Sequence, residues 1–410
     1  MKAAIILGRG IEGCGVTRYA LEEQKWYRNN DMVCDIYAGS DKKWGRKDSQ
    51  EHDITEFGNE EIESLSKKIN DEYDIVYYQS LPSKKGHSEE YQALFFDHMV
   101  CGITKPVKLS HQNDHKAQSL SRNSRIWETM GQMDASFTHS LTSPFAKKMA
   151  EHNPDVPVIK MGLGFDFDSL KSFWKPTTEQ KRRISYFGRF AGFKDPQRIV
   201  DMQPELEEVD IVGEMRGIER SIGSLDLFYS DLKDRKNSYR TNIYEVNKKN
   251  PEPEVQTSDK VWIYGPYNRL EGLEELSHSM FGADFYNLAP EGYGDNMEFA
   301  MCEIIATGTI PVFDKHWADH CRHKDGKMFN EIKDFAIYSD RNNLADTAQQ
   351  MAELANDHEA RETRRQACFE IAKAHCDNSV VYSQMHKDAV ATKKRNPGKP
   401  PKDVKTNSLF

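Results

Sequence analysis

Two short segments, well separated in the chain, carry the side chains best suited to chemistry. Tyr186–Lys194 reads Tyr-Phe-Gly-Arg-Phe-Ala-Gly-Phe-Lys and sets Arg189 and Lys194 just past a short apolar run. Glu298–Val312 sets Glu298 and Glu303 on a helix-like stretch that closes in Thr-Gly-Thr-Ile-Pro-Val. Arginine offers a planar fork of donors and lysine a point charge, and both suit a departing diphosphate. Carboxylates accept hydrogen bonds from the hydroxyls of ribose and of a sugar ring. A nucleotide-diphosphate sugar needs both sets. Isolated Lys and Arg are usually solvated, so it is the later acidic motif that gives Arg189 and Lys194 a functional reading.

Asp295 lies eight residues before Glu303, slightly over two helical turns, so the two share roughly one face. The helix dipole alone explains a carboxylate at a helix start, which covers Asp295 and extends to Glu298. It does not explain Glu303, which is followed by the apolar Ile304, Ile305 and Ala306.

Three further constellations stand out. Gly8-Arg9-Gly10-Ile11-Glu12-Gly13-Cys14-Gly15 follows a first strand and opens a helix, where backbone amides can approach an anion. It fits a dinucleotide fingerprint, a loop lying over donor phosphates, or simply a tight strand-to-helix turn. Ser110-His111-Gln112-Asn113-Asp114-His115 closes another strand, and Asp114 there is a base toward an acceptor hydroxyl, a group that orients it, or part of an Asn/Asp turn. His316, His320, Cys321 and His323 have spacings that invite zinc, but no further ligand pair of familiar spacing follows, so no metal site is expected.

The elements that must position these groups are short apolar or β-branched runs alternating with amphipathic stretches. Strands are expected at 3–7, 33–38, 75–79, 107–112, 135–139 and 156–161, and again at 184–188, 209–213, 260–265, 283–288, 309–313 and 335–338. Helices are expected at 16–28, 60–70, 270–280, 296–306 and 343–354. This alternation predicts an α/β protein with parallel sheets covered on both faces. Its 410 residues exceed one typical core. The expected plan is a first Rossmann-like domain over 1–170 and a second over 171–378, facing each other across a cleft. A polar insertion would span 214–258, and a C-terminal helix and basic tail 379–410. The net charge of −9 does not announce a nucleic-acid ligand, which would need a local basic face. Seven cysteines without repeated spacing predict free thiols in a reducing cytoplasm, and no apolar run is long enough to span a bilayer.

Taken together, these segments resemble the two-domain glycosyltransferases of the GT-B architecture. Tyr-Phe-Gly-Arg…Lys at 186–194, Ile-Val-Gly at 211–213, Ile-Tyr-Gly-Pro at 263–266 and Glu-Ile-Ile-Ala-Thr-Gly-Thr-Ile-Pro-Val at 303–312 occur in the order that architecture uses. Gly8–Thr17 is similar to the opening of the DNA α-glucosyltransferases of T-even bacteriophages. So are His111–Arg122, Phe137–Ser140 and Gly308–Phe313. The resemblance implies retaining transfer of glucose from UDP-glucose to 5-hydroxymethylcytosine in duplex DNA, in the host cytoplasm and by a monomer. UDP-arabinose stays open as the donor. No tightly bound cofactor is implied; the motifs do not require a divalent metal, though Mg2+ is compatible with them. By position, Arg189, Lys194 and Glu303 would hold UDP, with the amides of Gly13, Cys14 and Gly15 over the phosphates and Asp295 or Glu298 near the sugar. Asp114 would lie on the acceptor side, beside Asn113 where the family has a histidine. DNA contacts are expected from Asn113 and from Lys42, Lys43, Arg46, Lys47, Arg122 and Arg125.

Two other classes stay open on the sequence: a GT-B enzyme acting on a bacterial glycan or lipid, and a non-catalytic nucleotide- or DNA-binding protein. A dinucleotide oxidoreductase would rest on the glycine loop alone.

Overall fold

Strand order decides where the chemistry-bearing loops gather. The computed structural model describes residues 1–8, 15–39, 53–82, 87–112, 126–141, 143–188, 194–218, 242–243, 261–267, 269–286, 297–323 and 326–395. The chain divides into two compact units, one comprising Met1–Met161 together with the chain from Tyr382, the other Gly162–Val381. The C-terminal stretch, set apart by its sequence, thus joins the first unit.

In the first unit, β1 (Lys2–Leu7), β2 (Val33–Gly39), β3 (Ile54–Phe57), β4 (Ile75–Ser80), β5 (Val107–Gln112), β6 (Ala135–Thr138) and β7 (Val158–Lys160) form one parallel sheet in the order β3-β2-β1-β4-β5-β6-β7. The second unit repeats the plan. Here β8 (Lys181–Gly188), β9 (Val212–Ile218), β10 (Asn242–Ile243), β11 (Val261–Tyr267), β12 (Ser279–Asp284), β13 (Ile310–Asp314) and β14 (Ile337–Ser339) run parallel in the order β10-β11-β9-β8-β12-β13-β14. Each order reverses direction beside its first strand, so each sheet has a topological switch point, between β1 and β4 and between β8 and β12.

The strands read as near-continuous apolar runs because both faces are covered. Every residue of β12 and β13 is buried. One core of the second unit packs Ile184, Tyr186, Phe281, Val312 and Met351 together, and another packs Phe187, Leu273, Met301, Ile305 and Phe369. The helix Phe299–Ala306 belongs to the latter, and its Met301–Ala306 run is buried throughout. Its C-terminal carbonyls need partners outside the helix. The Trp174 indole donates to the Ala306 carbonyl at 2.8 Å, and Gly308 turns the chain away at a φ of +76°.

The elements differ from expectation where polar residues are buried. Glu214–Ile218, taken from their polarity as the start of the insertion, are the carboxyl half of β9. Glu214 is only 2% exposed, and Arg183 and Arg216 neutralise it there. The predicted helix over 270–280 stops at Ser277, and β12 begins at Ser279, several residues earlier than the expected strand. Strand β3, outside the expected set, lies at the sheet edge, with Thr55 and Glu56 exposed and Phe57 buried. The rest of 214–258 lies outside the described residues, apart from β10.

Helix Phe299–Ala306 approaches the sheet closely because β12 carries Gly282. A Cβ added at Gly282 would stand 2.7 Å from Ile304 Cγ2 and 2.8 Å from Thr309 Oγ1. Gly282→Ala is therefore expected to lower unfolding free energy by about 1–3 kcal/mol through overpacking, measured by urea denaturation.

Candidate active site

The second unit brings its charged side chains together at the carboxyl ends of its central strands. Lys194 follows β8, and Asp284 is the last residue of β12. These strands are neighbours at the switch point, where ligands of open α/β sheets bind. Lys194 Nζ donates to Asp284 Oδ2 at 2.9 Å and to Glu298 Oε2 at 2.6 Å. The same ammonium lies 4.9 Å from the centre of the Tyr286 ring, a cation–π contact.

Burial shapes the electrostatics of this triad. The lysine side chain is 10% exposed and the aspartate side chain 1%, whereas that of Glu298 is 23% exposed. Burial works against the lysine's charge, but the two carboxylates outweigh it and hold the ammonium's pKa above its usual value. Burial pushes the Asp284 carboxyl up, Lys194 opposes that, and Glu298 adds to it. The backbone N–H of Tyr286 also donates to Asp284 Oδ1, at 3.1 Å. Asp284 is thus anchored on both oxygens, while Glu298 reaches the amine from the more open side.

Glu298 occupies the cap position of helix Phe299–Ala306 in an extended conformation, yet its side chain makes no cap hydrogen bond. Its carboxylate is hydrogen-bonded to Lys194 rather than to the amides of the first turn. One turn further in, Glu303 is 8% exposed and accepts from Arg269 Nε at 2.6 Å. Arg269 opens the helix that follows β11.

Of the residues singled out by sequence, the structure joins Lys194 and Glu298 directly, and it pairs Glu303 with Arg269. Sequence reasoning missed Asp284, Tyr286 and Arg269. Asp284 sits second in the apolar run expected as a strand, and only the structure places it at a strand's carboxyl end. Arg269 carries no signal in the sequence beyond opening a helix.

In the first unit, Gly15 is the exposed first residue of helix Gly15–Asn29, and among the described residues a Cβ there would meet no atom within 4 Å. Packing among the described residues does not require a glycine at that position. His111, near the end of β5, is buried, with Nε2 3.3 Å from His139 Nε2. Burial and then His139 hold the His111 imidazole well below its usual pKa, so it is neutral at physiological pH. Gly13, Cys14, Lys42, Lys43, Arg46, Lys47, Asn113, Asp114, Arg122, Arg125, Arg189 and Asp295 lie outside the described residues. Among the described residues no group of three or more His, Cys, Asp or Glu is placed to hold a metal, and no helix is long and apolar enough to cross a membrane.

Comparison with known proteins places this geometry. A family model described as DNA alpha-glucosyltransferase matches residues 14–359. The chain is 26% identical over 406 residues to the DNA alpha-glucosyltransferase of Enterobacteria phage T4, an alignment covering 94% of this chain and 98% of that one. Among solved structures, an alpha-glucosyltransferase in complex with UDP-glucose and DNA containing an abasic site superposes with a TM-score of 0.80 at 25% identity, covering 95% of this chain and 99% of the other. One bound to UDP and a 13-mer DNA containing a HMU base gives 0.82, again at 25% identity, with the same two coverages. Anabaena HepE in complex with UDP shares the fold, with a TM-score of 0.61 at 12% identity over 95% of this chain and all of that one. The two parallel sheets are those of the GT-B architecture expected from the sequence.

The buried triad yields a stability test. Lys194→Met leaves two carboxylates without their cation and is expected to cost about 3–5 kcal/mol. Adding Asp284→Asn should recover part of that loss, and urea denaturation of the single and double variants reads the coupling.

Proposed function

The chain belongs to the DNA alpha-glucosyltransferase family, and from that premise we propose that it transfers glucose from UDP-glucose to 5-hydroxymethylcytosine in duplex DNA, with retention at the anomeric carbon. The observation that carries this reading is Lys194, a charged ammonium held at the switch point between a fixed and a more exposed carboxylate. The T4 relative is named a DNA alpha-glucosyltransferase, and a similar structure is described with UDP-glucose and DNA together.

In this reading the donor diphosphate takes the place of Glu298 on Lys194, while Asp284 stays. Glu298, released, accepts from hydroxyls of the sugar. Arg189 shares the charge that builds on the β-phosphate as the glycosidic bond breaks. Glu303 accepts from the ribose hydroxyls, and its pairing with Arg269 fixes its carboxylate on the helix. The amides of Gly13, Cys14 and Gly15 complete the anion cradle. The hydroxymethyl oxygen attacks C1 from the face that UDP leaves, and the departing phosphate oxygen takes the acceptor proton. Asp114 then orients the acceptor rather than deprotonating it, which fits Asn113 in place of a histidine. Phosphate contacts from Lys42, Lys43, Arg46, Lys47, Arg122 and Arg125 position the duplex, and the target base leaves the stack to react.

Mass spectrometry of hydroxymethylcytosine DNA after incubation with UDP-glucose tests the proposal. A gain of one hexose per modified base is expected. A gain only with UDP-arabinose would reassign the sugar, and UDP release without any gain on DNA would overturn the acceptor. Arg189→Ala is expected to lower turnover by about a hundredfold or more while DNA affinity stays within twofold, roughly, as a phosphate contact to DNA would not allow; filter binding and UDP release measure the two.

A further inference from the structure

Lys194 is held at a second point, on its backbone, by groups that never reach its amine. The next residue, Asp195, sits in the left-handed region at a φ of 41°, a conformation that non-glycine residues seldom adopt. Aspartate tolerates this region better than most residues, and its side chain is fixed as well. Here the Asp195 carboxylate accepts from Arg198 Nε at 2.9 Å and from Arg341 Nη1 at 2.8 and 2.7 Å. Arg198 is itself 1% exposed. It donates onward to Asp314 Oδ2 at 2.6 Å and to the Ser339 carbonyl at 3.0 Å, with its guanidinium 4.5 Å from the Phe285 ring centre. Arg341 Nη2 donates to Asp201 Oδ2 at 2.5 Å.

These anchors lie on different elements. Asp314 ends β13, Ser339 ends β14, and Asp201 ends the helix Gln197–Asp201. The peptide carrying Lys194 is therefore tied to the carboxyl edge of the outer half of the sheet, while the lysine's amine is tied to β12. Buried ion pairs are weak evidence for stability, since desolvation offsets much of their attraction. A backbone fixed beside a functional cation has a more specific use, because small displacements of a charged group are costly to transition-state stabilisation.

We propose that Asp195, clamped by Arg198 and Arg341, is a positioning residue that sets Lys194 against the donor diphosphate. This rests on the reading of the donor site given above. The clamp touches neither the Lys194 amine nor its two carboxylates in the described contacts, so its effect passes through the backbone.

Two variants test it. Arg341 has a side chain 43% exposed, so Arg341→Ala leaves the cores intact. Asp195→Asn breaks the same clamp without removing a cation that could itself meet phosphate. Both are expected to weaken UDP affinity and to lower turnover by about tenfold to a hundredfold, with DNA affinity near that of the wild type. The melting temperature should stay near wild type for Arg341→Ala and fall for Asp195→Asn, which leaves the buried Arg198 with Asp314 as its one carboxylate among the described contacts. Arg341→Lys should restore part of the loss. Calorimetric titration with UDP and steady-state transfer to hydroxymethylcytosine DNA are the readouts. Folded variants with wild-type UDP affinity and turnover overturn the clamp, as does an equal loss of donor and DNA affinity. Wild-type protein that binds UDP but transfers nothing sinks the proposed function alone, and the dependence of UDP affinity on Arg341 still decides the clamp. Wild-type protein that binds no UDP sinks both.

Discussion

A buried ammonium shared by two carboxylates governs the second unit. Lys194 is nearly enclosed, and Asp284 more so. Neither charge could stay buried alone, because the interior solvates an unpaired ion poorly. The pair therefore requires β8 and β12 to be adjacent and parallel, with their carboxyl ends level. It also requires the helix start at Glu298 to arrive on the same side. The close approach at Gly282 and the indole cap at Ala306 belong to the packing that brings that helix in.

The three charges are not equivalent. Asp284 is fixed by a lysine and a backbone N–H, and it lies in the core. Glu298 stands on the more exposed side, at a cap position it does not use for capping. A site built this way keeps its cation charged and in place while one of its two anionic partners stays accessible. That arrangement suits an anionic ligand that must first displace something and later depart with added charge. The clamp at Asp195 extends the logic to the main chain, so that both ends of the lysine are set by groups on other elements.

Sequence order could not reveal the partners of Lys194, because Asp284 and Glu298 lie 90 and 104 positions away. Lys194 and Asp284 meet only because the strand order reverses between β8 and β12. Glu214 and Arg216 read as surface charge until Arg183 on the neighbouring strand buries them. In contrast, Glu303 was legible, since a carboxylate followed by Ile304, Ile305 and Ala306 on a helix must either be paired or serve a ligand. It is paired, with Arg269, which no local pattern marked.

The sequence by itself determined the two parallel sheets, most strand positions, and the segments where cations and carboxylates gather. It could do so because period, apolar run length and turn residues are local properties of the chain. The tertiary structure alone decided which carboxylates hold Lys194, that Glu298 bonds to the lysine and not to the first-turn amides, and that the C-terminal stretch returns to the first unit. Those outcomes depend on strand order and burial, and electrostatic partners are chosen by proximity in space, which spacing along the chain does not encode.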